Sequence, residues 1–157
     1  MKVLILSDSH QHIAFMQSCV ETEKPDVILH LGDYYGDGEK LHELFPEIPM
    51  YQVPGNCDEN RCSGYISRIL VPQIGGVRIY MTHGHLHHVK LQRFSLIRAA
   101  SQTGAQAVLY GHTHEPECRQ LSDGMWIMNP GTCGYFHSSA GIMEIQDGKI
   151  ADMRIIR

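Results

Sequence analysis

Short apolar runs recur along this chain, and each stops abruptly at residues capable of chemistry. Val3 to Leu6 is unbroken and partly β-branched, which predicts a strand buried on both faces. Ser7-Asp8-Ser9-His10 follows at once. From His12 to Lys24, Ile13, Met16 and Val20 recur at helical spacing with Glu and Lys opposite, and Pro25 stops the helix. Asp26 to Leu31 predicts a second buried strand that ends in Gly32-Asp33. Strand, helix and strand in succession imply a parallel sheet. Tyr34 to Gly38 reads as a Gly-rich loop and Glu39 to Phe45 as a short helix. Met50 to Val53 then predicts a third strand, running into Pro54-Gly55-Asn56-Cys57-Asp58.

The second half is patterned differently. Ile66 to Val71 and Val77 to Thr82 flank Gly75-Gly76, which predicts an antiparallel hairpin whose second arm ends in His83-Gly84-His85. A helix is expected over Val89 to Thr103, with Leu91, Phe94 and Ile97 as its apolar stripe and Gly104 as its stop. Ala107 to Tyr110 predicts a strand ending in Gly111-His112-Thr113-His114. Beyond it, strands are joined by tight turns at Ser122-Asp123-Gly124 and Asp147-Gly148. With no linker or repeat, residues 1–157 read as one domain of the α/β class. The expected architecture is a four-layer α-β-β-α sandwich of two mixed sheets, with its site at the C-terminal ends of the strands.

Composition narrows the function. A net charge of −4 and the lack of any Lys/Arg-rich run argue against a dedicated nucleic-acid surface. No segment is long enough to span a membrane, and the opening apolar stretch is too short for a signal peptide. Five cysteines, an odd number without C-x-x-C spacing, indicate neither a disulfide framework nor a zinc finger, so a reduced, cytoplasmic protein is expected. The 11 histidines are the unusual feature, and their positions matter more than their number.

Five strand ends carry ligand-type clusters: Asp8-x-His10, Gly32-Asp33, Gly55-Asn56-x-Asp58, His83-Gly84-His85 and Gly111-His112-x-His114. Side chains two residues apart at a strand end can share a face. The C-terminal rim of an open α/β sheet is where ligands bind. Oxygen and imidazole donors without thiolate favour manganese, iron, nickel or zinc. Each cluster alone is a weak signal; five in this order are a strong one.

This ordered set resembles the calcineurin-like metallophosphoesterase superfamily. The short chain and its Gly55-Asn56-Cys57-Asp58 segment are most similar to the small single-domain phosphodiesterases of bacteria and archaea, and Asn129-Pro130-Gly131-Thr132 is similar to their loop that returns to the site. The resemblance implies that Asp8, His10, Asp33 and His114 hold one divalent ion. Asn56, His83 and His112 hold a second, and Asp33 bridges the two. Manganese is the expected metal, with nickel, iron or zinc as alternatives. Against two dications the carboxylates Asp8 and Asp33 leave the cluster with about two positive charges, which suits a phosphoryl group. Two such ions would activate a water for direct attack and clamp the phosphoryl oxygens. The implied activity is hydrolysis of a small phosphodiester, and the resemblance also suggests a homodimer.

The sequence departs from the superfamily where a His usually follows the Asn of the third cluster and protonates the leaving group. Here that residue is Cys57, and an ordinary thiol, with a pKa of about 8.5, is a poor substitute. Diesters with acidic leaving groups are therefore expected to outrun simple monoesters. His85 is the candidate partial substitute, and Asp58 is expected to orient Asn56 or a ligand imidazole. Thr132 stands where Ser is usual. His30 is expected in the core, His12, His87, His88 and His137 at the surface or rim, and His42 in solvent. Tyr34, Tyr35, Tyr135 and Phe136 are candidates to line a cleft, or else ordinary loop aromatics. Two further functions compete: a non-catalytic protein-binding scaffold, as in a retromer subunit of similar sequence pattern, and a phosphomonoesterase or nucleotide hydrolase. Degraded ligands would mark the scaffold, and all seven positions hold competent residues.

Overall fold

The strand β1 (Lys2–Leu6) shows how the layers arise. Val3 and Ile5 face one core and Leu4 and Leu6 another, because successive side chains alternate across a sheet. In a computed structural model that describes residues 1–59, 65–134 and 136–157, β1 is followed by α1 (Ile13–Glu23), β2 (Val27–His30), α2 (Tyr35–Leu44) and β3 (Met50–Gln52). The next elements are β4 (Ile69–Leu70), β5 (Gln73–Ile74), β6 (Val77–Thr82), α3 (Phe94–Gln102) and β7 (Ala107–Leu109). The last are β8 (Glu117–Gln120), β9 (Trp126–Asn129), β10 (Ala140–Gln146) and β11 (Lys149–Ile156).

Two mixed sheets result. The first has the order β11-β10-β1-β2-β3, with β1, β2 and β3 parallel and the β10–β11 hairpin antiparallel at one edge. The second has the order β4-β6-β7-β9-β8, with β6, β7 and β9 parallel and β5 extending the pairing of β6. Val3, Ile5, Leu29, Ile79, Leu109 and Met128 fill the space between the sheets. Leu4, Leu6, Ile28, Met16 and Leu41 pack the first sheet against α1 and α2, while Val108, Ile127, Leu96 and Ala100 pack the second against α3. This is the four-layer α-β-β-α arrangement. Each fully buried aliphatic side chain contributes about 1.5–3 kcal/mol to it.

Three expectations need correcting. The Gly-rich segment from Tyr34 is not a loop but the first turns of α2. Its Gly38 sits hard against β3, where a Cβ would lie 2.1 Å from Gln52 Oε1, so the glycine serves a close helix–sheet approach. The third helix starts at Phe94 rather than Val89, after a 3-10 turn over His85–His87. Leu91 and Phe94 are 85% and 71% exposed, so the buried stripe is Leu96 and Ala100, with Ile97 half-buried beside them. The hairpin at Gly75-Gly76 forms, with Ile74 opposite Val77 and both glycines at positive φ, as a two-residue turn demands. Its first arm, however, is interrupted between Leu70 and Gln73, where Pro72 has no N–H to donate.

The parallel strands of both sheets point their C-terminal ends at a common edge, and all the clusters follow those ends. No helix among the described residues is long and apolar enough to cross a membrane.

Candidate metal centre

Asp8, two residues past β1, is fully buried. Its Oδ2 accepts hydrogen bonds from the Ser7 hydroxyl at 2.5 Å and the His112 N–H at 3.1 Å. Its backbone carbonyl accepts from the Thr132 hydroxyl at 2.8 Å, which ties the return loop after β9 to the end of β1. Asp8 Oδ1 is buried without a hydrogen bond and lies 3.1 Å from His114 Nε2. Burial works to raise the Asp8 carboxyl, but the His114 contact, the nearby His83 and the Ser7 hydroxyl outweigh it and hold it below the usual range. The same contact pushes His114 upward.

Ligand-type atoms of Asp8, His10, Asp33 and His114 all lie within 4.8 Å of one another. The His10 and His114 Nε2 atoms face each other at 3.3 Å. Beside this group is a second. His83 donates its Nδ1–H to the Leu31 carbonyl at 2.9 Å, which leaves the Nε2 lone pair turned inward. That nitrogen lies 3.1 Å from Asn56 Oδ1 and 3.4 Å from Asp33 Oδ1. The His112 ring is 5.0 Å from the His83 ring, and its own pKa is pushed down to about 4 by burial and by His83. A bare lone pair, an amide oxygen and a carboxylate oxygen thus converge with no proton donor between them. Together with the orphaned Asp8 Oδ1, that donor set fits divalent cations.

Asp33 joins the two groups, and its place is enforced sterically. Its Oδ1 accepts from the Cys57 N–H at 2.9 Å. A Cβ on Gly55 would lie 2.1 Å from that same oxygen. A Cβ on Gly111 would lie 2.0 Å from Ser7 Oγ and 2.7 Å from Asp8 Oδ2. Asp8, His10, Asp33, His112 and His114 all adopt left-handed backbone, unusual for these residue types. Such conformations persist only where surrounding contacts over-determine them, and they gather at functional sites.

All seven candidate ligands are therefore brought together. His85 lies close by, its ring 5.4 Å from that of His83 and 6.1 Å from that of His112, with both ring nitrogens buried and unpartnered. Burial, then the neighbouring His83, lowers its pKa. Asp58 is placed differently from expectation. It is buried, and its two oxygens accept the Tyr35 and Gly55 N–H groups at 2.8 Å each, not Asn56 or an imidazole. It ties the loop after β3 to the start of α2. Cys57 is exposed beside Asn56, and partial desolvation of its thiol together with the Asp33 carboxylate pushes it up to about 11. His30 is in the core as expected, driven down to about 4 by burial. Tyr135 and Cys62 lie outside the described residues.

The sequence reading missed Asp37. It is buried in the first turn of α2, and its Oδ2 accepts from Ser9 Oγ at 2.9 Å and the Gln11 N–H at 2.7 Å, fixing the Asp8–His10 loop. Ser7 was given no role, and Asn129 was read only as part of the returning loop. The Asn129 amide donates to the Gly111 carbonyl at 3.0 Å and so supports the fifth cluster. A buried acid in a helix's first turn has a signal, but only once the helix start is known.

Residues 1–148 match the calcineurin-like phosphoesterase superfamily domain. The probable metallophosphoesterase YsnB of Bacillus subtilis is 32% identical over 84% of this chain and 75% of its own. The phosphodiesterase MJ0936 of Methanocaldococcus jannaschii is 29% identical over 93% and 94%. Among solved structures, the wild-type Vps29 of Entamoeba histolytica complexed with zinc superposes with a TM-score of 0.76. It is 21% identical and covers 99% of this chain and 97% of that one, a likeness of fold alone. The matched span takes in every strand end that carries a cluster, and with the Asp/His geometry around Asp33 it places the chain in the calcineurin-like phosphoesterase superfamily.

Proposed function

We propose that this protein is a dinuclear-metal-dependent phosphodiesterase. The observation that carries the reading is Asp33, a carboxylate shared between the Asp8/His10/His114 group and the Asn56/His83 pair. Asp8, His10, Asp33 and His114 would hold one divalent ion and Asn56, His83 and His112 the other, with manganese as the proposed metal. Bound there, two such ions would supply Lewis acidity towards a phosphoryl group and an attacking water.

The chain's own residues orient these groups. Leu31 sets the His83 tautomer, so that Nε2 presents a lone pair. Ser7, Thr132 and the His112 N–H fix Asp8, and Gly55 and the Cys57 N–H fix Asp33. His85 lies beside the site with its pKa lowered by burial and by His83, placed to contact a phosphoryl oxygen or a leaving group but disfavoured as a carrier of an added proton. The Cys57 thiol, held up to about 11, is a weak acid. With neither group a strong proton donor, leaving groups that depart as stable anions are favoured. That supports diesters over alkyl monoesters.

The direct test uses chelator-stripped protein with manganese, nickel, zinc or magnesium restored, assayed on bis(p-nitrophenyl) phosphate beside p-nitrophenyl phosphate. Metal-dependent cleavage with the diester faster is expected. A faster monoester would refute the role given to Cys57. Metal binding without turnover of either ester would favour the scaffold reading, to which the Vps29-like fold lends its only support.

A further inference from the structure

A cavity of about 440 Å³ opens beside the His10 edge of the centre, bordered by Gln11, Tyr34, Asp37, Glu39, Lys40 and Glu43. A similar one of about 470 Å³ lies at the far end of the second sheet, around Trp126 and Lys149, too distant to serve the chemistry. The first is joined to the site by its own walls. Tyr34 directly follows Asp33, and its ring meets the His10 ring edge-on at 5.1 Å between centroids. Gln11 directly follows His10. Asp37 anchors both walls through Ser9 and the Gln11 N–H. A phosphoryl group at Asp33 and His10 would therefore have this cavity within reach of one ester arm.

The lining is one half-exposed aromatic ring, one amide, three carboxylates and a single ammonium. On α2, Glu43 lies four residues after Glu39 and three after Lys40, within reach of both. The excess of carboxylates opposes a second phosphate or any other anionic arm. A cationic arm would be opposed by the net positive charge of the loaded centre beside it, so the lining favours a neutral group carrying N–H or O–H donors, and Tyr34 favours a flat one. Resting on the phosphodiesterase reading, we infer that this cavity is a subsite for a neutral ring-bearing ester arm with hydrogen-bond donors, and that Tyr34, Glu39 and Glu43 determine that specificity. The volume lies within the range of small-molecule pockets, which is about 300–1,000 Å³.

The probes are thymidine 5′-monophosphate p-nitrophenyl ester, whose base carries an N–H, and methyl p-nitrophenyl phosphate, which has no ring arm besides the reporter. Tyr34→Ala should lower the ratio of kcat/KM for the thymidine ester over the methyl ester about tenfold, mainly through KM, since an aromatic platform under a base is worth roughly 5- to 150-fold. Tyr34→Phe should keep the ratio. The double variant Glu39→Ala/Glu43→Ala, on the exposed face of α2, should lower it without risk to the fold. A second readout needs no turnover: saturation-transfer NMR of thymidine on metal-stripped protein should show the base protons, with the signal lost in Tyr34→Ala. An unchanged ratio in both the Tyr34→Ala and the double variant, or no thymidine signal, overturns the subsite even if both esters are cleaved. A Tyr34-dependent thymidine signal without cleavage of any ester keeps the subsite and overturns the phosphodiesterase reading instead.

Discussion

Asp58→Asn separates a positioning role from a catalytic one. Asp58 is 2% exposed, and each of its oxygens accepts one backbone N–H at 2.8 Å, from Tyr35 and from Gly55. An asparagine of the same shape can accept only one of them; its amide nitrogen then faces the other donor. A hydrogen bond to a buried charged group contributes about 1.5–3 kcal/mol, so the variant should lose about 2 kcal/mol of stability. For a chain of this length that lowers Tm by roughly 4–8 °C. Because the Gly55 N–H helps set the Asn56 loop and the wall behind Asp33, metal retention and turnover should fall together. The assay pairs thermal unfolding of stripped and manganese-loaded protein with kcat and KM on bis(p-nitrophenyl) phosphate. Turnover collapsing with Tm and metal content unchanged would refute this reasoning and return Asp58 to the reacting atoms.

Asp33→Asn should remove nearly all activity and lower the metal bound per chain at both positions; near-normal turnover would discard the bridging assignment. Gly55→Ala should do nearly the same without replacing a ligand, because its Cβ would meet Asp33 Oδ1 at 2.1 Å and displace it; wild-type metal content after dialysis would contradict this. Cys57→His should raise p-nitrophenyl phosphate hydrolysis relative to the diester, and an unmoved ratio would refute the leaving-group argument. His30 supplies a pH dependence. Its pKa is depressed to about 4 in the folded chain against about 6.5 unfolded, so its contribution is present above pH 6.5 and is lost as pH falls towards 4. That loss amounts to about 3 kcal/mol, and His30→Leu should flatten the acid limb of stability measured by urea titration.

Much of this was legible because it is local. The apolar runs of β1, β2 and β6, the His83-Gly84-His85 ending and the Asp147-Gly148 turn are written in neighbouring residues, where periodicity and turn chemistry act directly. The clusters could be read for the same reason, since two ligands at a strand end need only alternation to share a face. Element boundaries set by packing were not legible. The start of α2 depends on Gly38 meeting Gln52 of β3, and the start of α3 on a turn at His85–His87 that leaves Leu91 in solvent. Asp58 looked like a partner for side chains and turned out to hold backbone, because Tyr35 at the start of α2 and Gly55 in the loop after β3 meet it only in the folded chain.

The sequence by itself determined which residue types stand at the strand ends, their order, and hence the superfamily and the kind of metal they suit. Only the tertiary structure decided which of them meet. Asp8 and His114 are far apart in the chain and 3.1 Å apart in space because parallel strands of two sheets end at one edge. The part of Asp37, the hydrogen bonds of Ser7 and Asn129, and the cavity beside Tyr34 became visible only with that edge assembled. The reason is physical: alternation and periodicity act over a few residues, whereas a shared carboxylate or a buried lone pair depends on backbone brought together by the packing of the whole core.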